Sequence, residues 1–126
     1  MKKICAYCKK EFEIIPRQGG MNRKVCYSCI PDNLEKNERA RLERSIIRNI
    51  LNKEKAERGC DICGYNKCPA ALEWHHTGDN KNFNPGDISR IGTVSSLEKY
   101  REETKKCILV CANCHREIHW NLEYNN

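Results

Sequence analysis

From Leu34 to Glu57 the chain contains no Gly or Pro and is rich in good helix formers. Within it Leu42, Ile46, Ile47, Ile50 and Leu51 fall on one helical face, while Arg39, Arg41, Arg44, Arg48 and Lys53 are spread around the rest. This predicts an amphipathic helix over 33–58, entered after the break Pro31-Asp32-Asn33 and stopped by Gly59, which docks its apolar stripe on one neighbouring module. Elsewhere the apolar positions come in short runs. Phe12-Glu13-Ile14-Ile15 alternates too weakly to build a core, whereas Ala71 to His76 predicts a short strand followed by a polar turn rich in Gly and Asn. Ser95-Ser96-Leu97-Glu98 resembles a capping box, predicting a short helix to about Lys105. Cys107 to Val110 predicts a second strand, and Cys114 to about Leu122 a terminal helix. The expected class is a small α+β protein.

Such a chain is short of oil. Leu, Ile, Val and Phe together make up 24 of 126 residues, at the edge of the range in which chains fail to bury a core. Ten cysteines can make up the deficit, as disulfides or as metal ligands. No apolar run approaches the roughly 18 residues of a membrane span, and Met1 to Lys10 lacks the apolar stretch of a secretory signal. The chain therefore reads as soluble, intracellular and cytoplasmic, without a membrane partner, in a compartment where paired thiols hold zinc.

Eight of the cysteines form four C-x-x-C pairs. Cys5/Cys8 and Cys26/Cys29 are separated by 17 residues, the pattern of paired knuckles around short strands in a zinc ribbon over 1–32. A redox pair is the alternative, but no βαβ pattern surrounds either one. Cys60/Cys63 and Cys111/Cys114 enclose 47 residues, and a zinc shared by these pairs would close that long loop. Cys68 and Cys107 stand outside the pairs and are expected to pack as small apolar residues.

Charge changes the picture locally. Formal net charge is +6, but the excess lies in the first 58 residues, since 59–126 carry eight Lys/Arg against nine Asp/Glu. Two four-thiolate zinc sites would bring the total to about +2. Lys2, Lys3, Lys9, Lys10, Arg17, Arg23 and Lys24 are candidates for a basic surface that contacts phosphate, or simply for a solvated charged face.

The four histidines are the sharpest signal. His115 and His119 stand four apart on the predicted terminal helix, so both imidazoles can reach one cation. His75 and His76 are adjacent on a predicted strand, where neighbouring side chains point to opposite faces. One can bind metal while the other stays free for proton transfer. The plainer alternative is four surface or internally satisfied histidines.

Leu72-Glu73-Trp74-His75-His76 followed by Cys111-Ala112-Asn113-Cys114-His115-Arg116-Glu117-Ile118-His119 resembles an HNH endonuclease of the ββα-metal class with a four-cysteine structural zinc. The resemblance covers about residues 60–120, within a treble-clef-like nuclease domain expected over 59–126. It implies that His76 is the general base and that His75, His115 and His119 hold the catalytic divalent ion, Mg2+, Mn2+, Ni2+ or Zn2+. It also implies that Cys60, Cys63, Cys111 and Cys114 hold structural zinc, and that DNA is the partner, cut to 5′-phosphate and 3′-hydroxyl ends. Physical chemistry agrees with that division: phosphodiester hydrolysis needs an activated water and a cation at the phosphate, and a neutral imidazole suits the first. Glu73 shares a strand face with His75 and is a candidate orienting carboxylate, or a plain surface carboxylate.

One position departs from the family pattern. Its middle Asn, nine residues before the first helix histidine, is here Lys106. Asn113, or Asn80, Asn82 or Asn84 of the loop, are candidate substitutes. Lys106 and Arg116 are candidate phosphate contacts, or simply solvated charges. The expected function is a one-metal DNA endonuclease, with a non-catalytic zinc module that binds nucleic acid or a partner protein as the rival.

Overall fold

The computed structural model describes residues 1–16, 20–79, 81, 82, 85 and 91–124. Among these, β1 (Lys2–Ile4) pairs antiparallel with β2 (Glu11–Glu13), and β3 (Leu72–His76) pairs antiparallel with β4 (Cys107–Cys111). The helices are α1 (Lys36–Arg58), α2 (Val94–Thr104) and α3 (Ala112–Tyr124). The result is a small α+β protein with two two-stranded sheets and three α-helices among the described residues. No helix among them is long and apolar enough to cross a membrane.

Helix α1 ends where the chain must turn sharply. The N–H of Gly59 caps the Lys55 carbonyl at 2.8 Å, and Gly59 adopts φ 72°. A Cβ there would sit 3.2–3.3 Å from the Gly64 and Tyr65 carbonyl oxygens and Asn66, so glycine suits both the backbone angle and the close approach of the following knuckle. The start of α2 corrects the expected cap. Thr93, not Ser95, is the N-cap: its hydroxyl accepts from the Ser96 N–H at 3.1 Å, and the Ser96 hydroxyl accepts from the Thr93 N–H at 3.0 Å. The box is therefore Thr93-Val94-Ser95-Ser96, with a serine closing it in place of the usual acid.

The apolar stripe of α1 docks on two sides. Ile47 and Leu51 lie in a buried cluster with Cys5, Tyr7, Val25, Cys26 and Ile30 from the N-terminal segment and Ile91, Leu97 and Tyr100 from α2 and its approach. The expectation of one docking partner is corrected accordingly. A single helix can satisfy both because its buried positions extend over more than a turn. Full burial of Ile47 and Leu51 is worth about 1.5–3 kcal/mol each. A second cluster, Cys60, Leu72, Leu109, Val110, Cys111 and Cys114, fills the angle between the β3–β4 ladder and α3. Trp74 packs against both clusters and donates its indole N–H to the Tyr100 hydroxyl at 2.6 Å.

Two expected surface cations are turned inward. Lys3 Nζ donates to the Met21 and Arg23 carbonyls at 2.6 and 3.1 Å. Arg23 donates to the carbonyls of Val25, Cys26 and Ile30 and stacks over Tyr27, 4.1 Å from the ring centre. Both act as clamps on the backbone of the second knuckle. Lys2, Lys10 and Lys24 remain exposed, and Lys9 bonds the Ala6 carbonyl at 2.9 Å. Arg17, Asn80 and Asn84 lie outside the described residues.

Candidate metal centres and catalytic site

Each C-x-x-C pair forms a tight turn whose backbone N–H groups point at sulfur. In the first group Cys5 Sγ accepts from the N–H of Tyr7, Cys8 and Cys26 at 3.4, 3.5 and 3.3 Å. Burial alone would raise the Cys5 thiol, yet those donors outweigh it and lower the group from 9.0 to about 6. Cys60 behaves in the same way: burial raises it, and the N–H groups of Cys63, Cys111 and Ile62 bring it to about 6. Thiolate is the form that binds metal.

The sulfurs have the spacing that a tetrahedral ion requires. Zn–S bonds of about 2.3 Å place sulfurs about 3.8 Å apart. Cys5–Cys29 and Cys8–Cys26 are separated by 3.9 and 3.8 Å, and Cys63–Cys111 by 3.6 Å. Within each set of four, all sulfurs lie within 4.8 Å of one another. The two groups are thus compatible with two structural zinc sites. Asp61, inside the second, anchors it to the ladder: its carboxylate accepts from the Leu109 N–H at 2.9 Å and from Arg58 at 3.0 and 2.7 Å.

Strand β4 runs directly into α3, so Cys111 and Cys114 fix the first turn of the helix that carries His115 and His119. One turn apart, these two imidazoles meet His75 from β3. Ring centres are 5.2 Å apart for His75 with either partner and 4.8 Å for His115 with His119. The two Nε2 atoms of α3 are 3.1 Å apart. Metal–nitrogen bonds of 2.0–2.1 Å put neighbouring ligand nitrogens about 3 Å apart, so the three residues fit a cation. His75 and His115 are partly buried and His119 is exposed. Burial, then the neighbouring His115, His119 and His76, lowers the His75 pKa from 6.5 and favours the neutral ring. Glu73 meets His115 rather than His75: Nδ1 and Oε2 are 2.5 Å apart.

His76 faces the other way, as strand alternation requires. It does not join the triad. The ring is not free of partners: only 12% of the side chain is exposed, and Nε2 lies 2.8 Å from Glu103 Oε2. Glu103, 2% exposed, also accepts from the Asn82 N–H at 3.0 Å on the same oxygen and from Lys106 Nζ at 3.0 Å on the other. Burial would raise its carboxyl, but Asn82, Lys106 and His76 together lower it from 4.5 to about 2. Lys106, a candidate phosphate contact, is thus engaged with Glu103, because the α2–β4 turn folds its ammonium back on the carboxylate. Arg116 and Asn113 are exposed on α3. Cys107 is buried as expected, its thiol directed at the Glu103 carbonyl at 3.6 Å, whereas Cys68 is exposed because it precedes the surface turn Pro69–Ala71.

Glu103 is the site residue that sequence reasoning missed. The signal was its register: three and six residues after Tyr100 and Leu97, it sits on the buried face of α2, where an apolar residue would be the rule. No family model, curated protein or solved structure matches the chain.

Proposed function

We propose that this protein is a divalent-metal-dependent DNA endonuclease of the HNH, ββα-metal type. The observation that carries the reading is the convergence of His75 from β3 with His115 and His119 from α3, while the adjacent His76 is kept off the same cluster. Three protein ligands leave a coordination position open, unlike the two four-cysteine groups, and an open position is what a catalytic ion needs. No carboxylate joins the triad among the described residues, which favours a one-metal site. Exposed Arg41, Arg44 and Arg48 on α1 and Arg116 beside His115 supply positive charge for a phosphate backbone.

A divalent ion held by His75, His115 and His119 would offset the charge growing on the scissile phosphate and stabilise the departing 3′ oxygen. The chain's own contribution is the proton transfer. His76 takes a proton from water as the water oxygen bonds to phosphorus; the P–O3′ bond breaks, and the 3′ oxygen leaves with a proton from solvent. The products carry 5′-phosphate and 3′-hydroxyl ends. Glu73 holds the His115 ring so that Nε2 faces the cluster.

The test is His76→Ala on supercoiled plasmid with added Mg2+, Mn2+ or Ni2+. Cutting is expected to fall by about 10²–10⁴-fold, the usual range for a general base, with zinc content and helicity unchanged. Undiminished cutting would remove His76 from the reaction. Absence of cutting by the unaltered protein with every ion, alongside tight nucleic-acid binding, would favour the non-catalytic module.

A further inference from the structure

The nuclease reading assigns a base but does not say what holds that base in its working form. An imidazole accepts a proton only at the nitrogen that lacks one, and a free histidine exchanges its proton between both. His76 is not free to do so. Its Nε2 lies 2.8 Å from an oxygen of Glu103. An ionised carboxylate is an acceptor only, so the hydrogen in that contact belongs to His76 Nε2.

We infer that Glu103 is the positioning residue of the base: it holds His76 as the Nε2–H tautomer, leaving the lone pair on Nδ1 to take the water proton. This rests on the nuclease reading for its purpose, though the tautomer itself does not depend on it. The carboxylate can do this because its orientation is over-determined. Asn82 N–H shares Oε2 with His76, and Lys106 holds Oε1. Tyr100 and Leu97, about one and two turns earlier on α2, are buried in the main cluster, and the Thr93–Ser96 box closes the helix start. The Asn82 contact also ties the loop that leaves β3 to the group that orients His76. No described residue bonds Nδ1, so proton acceptance there requires no internal hydrogen bond to break.

The experiment uses the full-length zinc-loaded protein and reads the two ring nitrogens of His76 by 15N NMR at mildly alkaline pH, with kcat and KM for plasmid cleavage measured alongside. The unaltered protein should show His76 protonated at Nε2. Glu103→Leu should release the tautomer and lower kcat by about 10–100-fold, part of the general-base contribution, with KM and zinc content unchanged. Glu103→Gln should keep both the tautomer and kcat to within about threefold, because the fixed Asn82 N–H selects the amide oxygen for the Oε2 position, while the partly exposed Lys106 ammonium swings to solvent away from the amide NH2. A His76 protonated at Nδ1 in the unaltered protein would overturn the inference, even if Glu103→Leu failed to fold. So would a Glu103→Leu protein with unchanged tautomer and kcat. An unaltered protein that shows the Nε2–H tautomer but cuts no DNA would sink the nuclease reading while leaving the link between Glu103 and His76 in place.

Discussion

Glu73 and His115 stand 42 positions apart in the chain and meet with 2.5 Å between a carboxylate oxygen and Nδ1. The contact joins β3 to α3 across the cluster of imidazoles and fixes which nitrogen of His115 faces it. Glu73→Ala is expected to weaken divalent-ion binding at the triad by about 10–100-fold. Because the Glu73 side chain is nearly half exposed, fold and zinc content should be retained. Calorimetric titration with Ni2+ or Mn2+ measures the effect, and equal affinity in the two proteins would show that His115 needs no such support.

The two four-cysteine groups carry stability that the sheets cannot. Strands of three residues, as in β1 and β2, do not stand alone in water. Treatment with a strong zinc chelator is expected to release two ions per chain and to abolish the far-UV signal of α3 together with that of the hairpins. Circular dichroism recorded alongside zinc release checks this. A chain that loses its zinc and keeps its spectrum would contradict it.

Leu51 is 2% exposed in the cluster that includes the first cysteine group and α2. Replacing it by Ala should cost about 2–5 kcal/mol. Because the N-terminal segment, α1 and α2 share that cluster, urea should unfold the variant in one transition at a lower midpoint. Two well-separated transitions would indicate that α1 does not couple its neighbours.

Lys55 is buried and donates from Nζ to the Leu72 carbonyl at 3.1 Å. Burial lowers its pKa below 10.5, against a smaller opposing pull from Glu73. Between the lowered folded value and 10.5 the unfolded chain therefore holds more protons than the folded one. Stability contributed by this residue rises with pH across that window, and the penalty for burying its charge is fully present below it. Relative to Lys55→Met, the unaltered protein should gain stability as pH rises toward 10.5. Urea midpoints of the two proteins at several alkaline pH values give the comparison, and parallel curves would contradict the shift.

What was legible in the sequence is what local spacing determines. A C-x-x-C knuckle and an i, i+4 histidine pair are set by a few bonds of backbone, so their ligand groups could be read before any packing was known. The alternation that separates His75 from His76 is equally local. Burial of charge was less accessible, because it depends on what a side chain meets across the fold. Lys3 and Arg23 look like surface cations until the knuckle carbonyls they clamp are placed, and Glu103 looks like one acid among several in a polar stretch. The register of Glu103 with Leu97 and Tyr100 was visible, but its partners come from β3, the following loop and the turn before β4. The cap of α2 was misplaced by two residues for a simpler reason: Ser96 closes the box where an acid is the commoner choice.

The most direct measurement is a titration of Mn2+ into the zinc-loaded protein, with ion binding and plasmid cleavage followed in the same samples. Cleavage should appear in proportion to an exchangeable ion bound beyond the zinc, and His119→Ala should lose both that ion and the cleavage while keeping its zinc. A protein saturated with Mn2+ that leaves plasmid intact, or a His119→Ala protein that binds the ion as tightly as before, would contradict the assignment of the three imidazoles.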